Sequence, residues 1–142
     1  MCPAKPTSRN LVLAVAFVAV PRLLVLAIGG VLGSLARYGV VLAIGDRDPA
    51  VWPWATLGVN LLGALLIGII ATSPAVRSGP PWLRLFTITG VLGGFTTFSA
   101  FALETGALLD AGRAPMAGVY VLVTMVAGLV AVRIGASIGA SR

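Results

Sequence analysis

The chain has 142 residues, 58% hydrophobic and only 10% charged, with a formal net charge of +6, and its mean hydropathy of +1.05 lies outside the globular range. A soluble enzyme is excluded, and one cysteine, Cys2, with no histidine excludes an internal disulfide and any zinc or haem site built from the usual clusters. The ten Lys and Arg residues are spread through ends and loops, not gathered into the basic, aromatic-interleaved patch that nucleic acid requires.

What remains is an integral membrane protein of one domain, with the charges serving orientation and contact with lipid headgroups. Its length suffices for four helices of roughly 20 residues, enough to cross a hydrocarbon core of about 30 Å. Residues 1–20 form an N-terminal extension. Leu11 to Val20 is too short to span, and Pro21-Arg22 separates it from the next run. Lys5 and Arg9 before an apolar stretch have the outline of a signal peptide, but no small-residue cleavage site follows. A flexible or interfacial tail, or a start of translation near Val20, is the expectation.

The four-helix domain, 21–142, follows with predicted helices at about 22–44, 52–72, 84–109 and 115–137. The first ends at the turn Gly45-Asp46-Arg47-Asp48-Pro49. It carries Arg37 and Tyr38, and Arg37 either belongs to a site or snorkels to the interface. The second begins at the interfacial Trp52 and Trp54 and stops at Ser73-Pro74. Thr56 and Asn60 lie one turn apart on one face, continued by Gly63. Asn60 sits near mid-membrane, where an amide needs partners, so it is either interhelical glue or part of a wet path.

The third span holds "GVLGGFTTFSAFALE", residues 90 to 104. Gly93-Gly94 weakens a helix, and Thr96-Thr97 beside it offers hydroxyls to other backbone conformations. A helix broken near its middle is the inference, with a packing kink as the alternative. In a bilayer such a break is tolerated only inside protein or along a cavity, and it frees carbonyl oxygens able to bind a cation. Phe98 and Phe101, three apart, share one side of that break. A ring is positive at its edge, so two edges along a polar track favour a small anion, although core packing is the commoner use of such a pair. Glu104, near the end of the span, is an ionisable group in the membrane and a site candidate for that reason.

The fourth span starts with Pro115 in its first turn, where no donor is lost. Tyr120, Thr124 and Gly128 form a row at four-residue spacing, a second polar stripe that suggests a path shared with Thr56 and Asn60. Small residues also recur at that spacing: Gly29 and Gly33, Ala64 and Gly68, Gly135 and Gly139. These read as packing seams, since helices in lipid approach through small residues.

Taken together, "GGVLGSLARY", "TLGVNLLGALLIG" and "GVLGGFTTFSAFALE" resemble the Fluc (CrcB) fluoride channels, from about Pro21 onward. The resemblance implies two antiparallel four-helix subunits conducting fluoride passively out of the cytoplasm across the bacterial plasma membrane. It also implies a structural, untransported sodium ion at the dimer centre, held by main-chain oxygens of Gly93 and Thr96. By the same correspondence Asn60, Phe98 and Phe101 face the pore. Thr56, Glu104, Tyr120 and Thr124 match pore-lining or pore-supporting positions, and Arg37 a structural or vestibule one. Two positions depart from the pattern: Ala100 stands where threonine is frequent, and Gly128 lacks the hydroxyl that often continues the fourth-helix track.

A different class, a small proton-coupled exporter of the multidrug type, also has four helices and antiparallel pairing. It needs a carboxylate at its substrate site, and Glu104 is in the wrong helix for that. With an even number of spans, Lys5, Arg9, Arg22, Arg77, Arg84, Arg133 and Arg142 fall on one side, against Arg47 and Arg113 on the other. By the positive-inside rule both termini are expected in the cytoplasm, and the partner is either a second copy or an oppositely oriented homologue.

Overall fold

The computed structural model describes residues 8–45, 48 and 51–141. Cys2, Lys5, Arg142 and most of the turn expected after Gly45, namely Asp46, Arg47 and Pro49, lie outside the described residues. Every regular element among those described is helical: α1 (Ser8–Ile44), α2 (Trp54–Thr72), the short α3 (Pro74–Arg77) and α4 (Pro81–Arg84), a π-helical segment Leu85–Leu92, α5 (Gly93–Phe95), α6 (Phe98–Asp110) and α7 (Ala114–Ala140). Among the described residues, four stretches are long and apolar enough to cross a membrane: Val20–Ile44, Trp54–Thr72, Pro81–Asp110 and Ala114–Ala140.

The ends follow local chemistry. Gly45 and Gly112 have positive φ (88° and 72°), the conformation that terminates helices at little cost only in glycine. At Gly112 the motif is complete: its N–H reaches Leu109 O at 2.9 Å and the Arg113 N–H reaches Leu108 O at 2.8 Å, which satisfies two carbonyls of α6 and turns the chain into α7. Pro74, Pro81 and Pro115 sit in first turns.

The expected separation at Pro21-Arg22 is not observed, because α1 continues through Pro21 as one helix of 37 residues. The missing N–H costs one hydrogen bond, whereas leaving the helix in an apolar surround would strand several backbone groups.

Two seams hold the fold. Along α2 and α7, the most extensive packing in the molecule, a Cβ added to Gly68 would come 2.8 Å from Ala136 N, and one on Gly135 3.0 Å from Ile69 N. Thr72 Oγ1 lies 2.8 Å from Gly68 O and 3.1 Å from Ala136 O, tying the two helices. The second seam joins α1 to the π segment and α5: a Cβ on Gly29 would lie 2.7 Å from Phe86 O and one on Gly33 2.8 Å from Phe95 N, while one on Gly94 would overlap Gly30 O. Gly29, Gly33, Gly68, Gly135 and Gly139 are thus packing residues, as their spacing suggests. Ala64 departs from its pair and lines a groove instead.

Candidate functional site

Gly93 keeps helical angles (φ −64°, ψ −35°) and Gly94 is likewise helical; the smallness of Gly94 is spent on approach to α1, whereas a Cβ on Gly93 would meet only Ile88 O, at 3.8 Å. The extended residues are Thr96 (φ −80°, ψ 157°) and Thr97 (φ −148°, ψ 116°), between α5 and α6. Side-chain contacts hold them. Thr96 Oγ1 turns back to Leu92 O at 3.0 Å, an oxygen that also accepts the Thr96 N–H at 3.0 Å. Thr97 Oγ1 accepts from Ala100 N at 3.1 Å and caps α6. Asn60 closes on Thr97 twice: the Thr97 N–H donates to Oδ1 at 2.9 Å, and Nδ2 donates to Thr97 O at 3.0 Å. Gly63, one turn along α2, leaves room for the Thr96 methyl, which a Cβ there would overlap.

These contacts divert two helical donors. In an uninterrupted α-helix the Thr97 N–H would serve Gly93 O and the Ala100 N–H would serve Thr96 O. Both are bonded to side chains instead, so Gly93 and Thr96 present carbonyl oxygens released from the helical ladder, as a main-chain cation site requires. Among the described residues no group of three or more His, Cys, Asp or Glu could hold a metal.

Beside the extended pair lies a groove of about 330 Å³ lined by Asn60, Thr97, Phe98, Phe101, Thr124 and Gly128, among others. Phe98 projects from the chain, 74% exposed, whereas Phe101 is buried. Their ring centroids are 5.6 Å apart, tilted by 46°. Thr124 Oγ1 is buried there without a hydrogen-bond partner. A second groove, of about 280 Å³, is lined by Asn60, Gly63, Gly93 and Thr96. Asn60 therefore borders both, and its second Nδ2 hydrogen has no partner among the described residues.

The remaining candidates gather elsewhere. Glu104 is clamped across three helices: Thr56 Oγ1 donates to Oε1 at 2.6 Å and Tyr120 OH to Oε2 at 2.9 Å. Tyr120 is fully buried, its ring tilted against Phe101 at 5.2 Å and edge-on to Trp52 at 5.7 Å. Thr56 and Glu104 line a cavity of about 210 Å³ that runs toward Trp52 and Asp48. Half-buried Arg37 lines another, of about 250 Å³, with Tyr38, Thr56 and Thr97. The two polar stripes on α2 and α7 do not make one surface: Asn60 and Thr124 meet at the phenylalanine groove, while Thr56 and Tyr120 meet at Glu104. Sequence reasoning missed the capping role of Thr97, although a threonine just before a helical apolar run is a start signal. It also missed the π segment and the Trp52–Tyr120 contact, for which no local signal exists.

Four spans among the described residues, each long and apolar enough to cross a membrane, with a polar groove beside an extended pair in the third, define a helical multi-pass membrane protein. The chain belongs to the CrcB family: residues 24–136 match the family described as "CrcB-like protein, Camphor Resistance (CrcB)". It is similar to proteins named fluoride-specific ion channel FluC in Paracoccus denitrificans (48% identical over 113 residues, 80% of this chain and 90% of that one) and Hyphomonas neptunium (43% over 114 residues, 79% and 90%). A third, in Chloroflexus aurantiacus, is 42% identical over 120 residues, 82% of this chain and 94% of the relative.

Proposed function

We propose that this chain is a fluoride-specific channel that exports fluoride passively and lowers its cytoplasmic concentration. The observation that carries the reading is the groove in which the Asn60 amide, the Thr124 hydroxyl and the Phe98 and Phe101 rings come together, in a chain whose relatives are named for fluoride. Fluoride is small and strongly hydrated, so a path must replace its water with donors that release it again. An amide hydrogen, a hydroxyl and ring edges do so without the grip of a lysine. Hydrogen fluoride enters cells as a neutral acid and dissociates inside. An inside-negative potential then drives the anion out at about 2.3 kcal/mol per 100 mV per charge, without ATP or a coupled ion.

In this reading the third span is a broken helix, its break at Thr96-Thr97, and two chains pair antiparallel. The carbonyl oxygens of Gly93 and Thr96 would hold a structural sodium ion, and their release from the ladder supports the assignment. Bound there, sodium would supply a fixed positive charge that neutralises the facing carbonyl dipoles between subunits and is not transported. The second subunit is a copy of this chain or, given the charge bias, an oppositely oriented homologue. Labelling a C-terminal cysteine in intact cells separates these, since equal labelling from both sides means the homodimer.

A proton-coupled exporter is disfavoured because Glu104 stands on the third span and both of its oxygens are tied to hydroxyls of neighbouring helices, a structural use of the carboxylate. Fluoride efflux from liposomes holding only this protein, without a proton gradient and with chloride as control, is the test. Fluoride flux with little chloride flux is expected; equal flux of both anions, or none without the gradient, would sink the proposal.

A further inference from the structure

Asn60 is read above as a donor to the anion, yet in the structure its amide is engaged mainly with the main chain of Thr97. The acceptor side takes the Thr97 N–H at 2.9 Å, and the donor side gives one hydrogen to Thr97 O at 3.0 Å. The peptide linking Thr96 to Thr97 is planar and trans, so its N–H and its C=O point in opposite directions. Fixing the Thr97 N–H on Asn60 therefore aims the Thr96 oxygen away from Asn60 and locks its plane. A hydrogen-bonded N–H also polarises the carbonyl of the same amide, which makes that oxygen a better ligand. The same bond takes the Thr97 N–H from Gly93 O, its partner in an uninterrupted helix. One side chain thus both frees the Gly93 oxygen and orients the Thr96 oxygen, and it lines the groove bordered by both residues as well as the groove of Phe98 and Phe101.

We infer that Asn60 is a positioning residue for the cation site, coupling the anion groove to the main-chain oxygens of Gly93 and Thr96 through the Thr96–Thr97 peptide. The inference rests on the sodium reading proposed above. Because Asn60 also borders the anion groove, loss of fluoride flux does not discriminate, and the test reads sodium directly. Thermal unfolding of the purified full-length protein in detergent is followed as sodium replaces N-methylglucamine, for the wild type, Asn60→Ala, Asn60→Asp and Phe98→Ile.

The wild type and Phe98→Ile should share one sodium dependence. Asn60→Ala should need about 10- to 100-fold more sodium for half of its stabilisation, the usual cost of removing a partner that orients a metal ligand. Asn60→Asp keeps an acceptor for the Thr97 N–H and should retain more of the response than Asn60→Ala. Should Asn60→Ala not fold, hydrogen exchange on the wild type reads the same coupling, with slower exchange of the Thr97 amide expected in saturating sodium. A wild-type sodium dependence in Asn60→Ala, or a Thr97 amide indifferent to sodium, overturns the inference while leaving the sodium site standing. A wild type that does not respond to sodium at all overturns both.

Discussion

Thr56 and Asn60 stand one turn apart on the same face of α2, yet the clusters they anchor differ in kind. Around Thr56 the carboxylate is matched by other side chains, with only the Trp52 indole N–H left buried without a partner: the two Glu104 oxygens take one hydroxyl from α2 and one from α7, and the tilted ring of Phe101 and the edge-on ring of Trp52 flank Tyr120. Around Asn60 the matching is with the backbone and is incomplete. One amide hydrogen and the buried Thr124 hydroxyl have no partner among the described residues, the carbonyls of Gly93 and Thr96 have lost their helical donors, and all four residues line grooves. A closed network rigidifies a fold, whereas an open one has capacity left for a ligand. The difference teaches where transport chemistry and where stability should reside.

The strongest way to break the contrast is to alter the open cluster without changing its bulk. Phe98→Ile and Phe101→Ile each remove ring edges worth about 1 kcal/mol beyond their area, so fluoride efflux should fall about fivefold with the elution profile of the assembled protein unchanged. Normal efflux in both variants would reduce the rings to packing. The closed cluster should respond in the opposite sense, through stability first. Tyr120→Phe and Glu104→Gln should each cost about 1.5–3 kcal/mol, the worth of a hydrogen bond to a charged group. Because they break one shared contact, the double variant should cost less than their sum when unfolding is followed in detergent; strict additivity would mean that the clamp does not act as a unit.

The smallest stability effects belong to the groove wall. Thr124→Val removes a buried hydroxyl that has no partner, so the melting temperature should hold or rise slightly while fluoride efflux falls. Gly128 faces open space, with nothing within 4 Å of an added Cβ, and Gly128→Ser should fold as well as the parent chain. A higher efflux in that variant would show that the fourth-helix track profits from a hydroxyl there. A clear loss of stability in either would mean that this wall is more tightly packed than the groove implies.

Much of this was legible without a structure. Hydropathy sums over neighbouring residues, so the four spans and most of their ends could be read from runs of apolar residues, Trp52 and Trp54, Ser73-Pro74 and Asp110-Ala111-Gly112. Spacing of four marked Gly29 and Gly33, Gly135 and Gly139 as seams, because helical geometry alone stacks such residues on one face. The same rule paired Thr56 with Asn60 and Tyr120 with Thr124, but not what each pair would meet.

Only the tertiary structure decided the partners. Asn60 and Thr97 are 37 residues apart, Gly30 and Gly94 farther still, and no local pattern states that an amide on α2 will take the donor that Gly93 loses. Pro21 likewise appears as a break when read along the chain, and α1 runs through it. The local rules describe one helix at a time, in which each backbone group is served from four residues away. The site arises where that service is interrupted, and whether a released N–H or carbonyl meets a side chain, another backbone or an open groove depends on what the neighbouring helices bring to it.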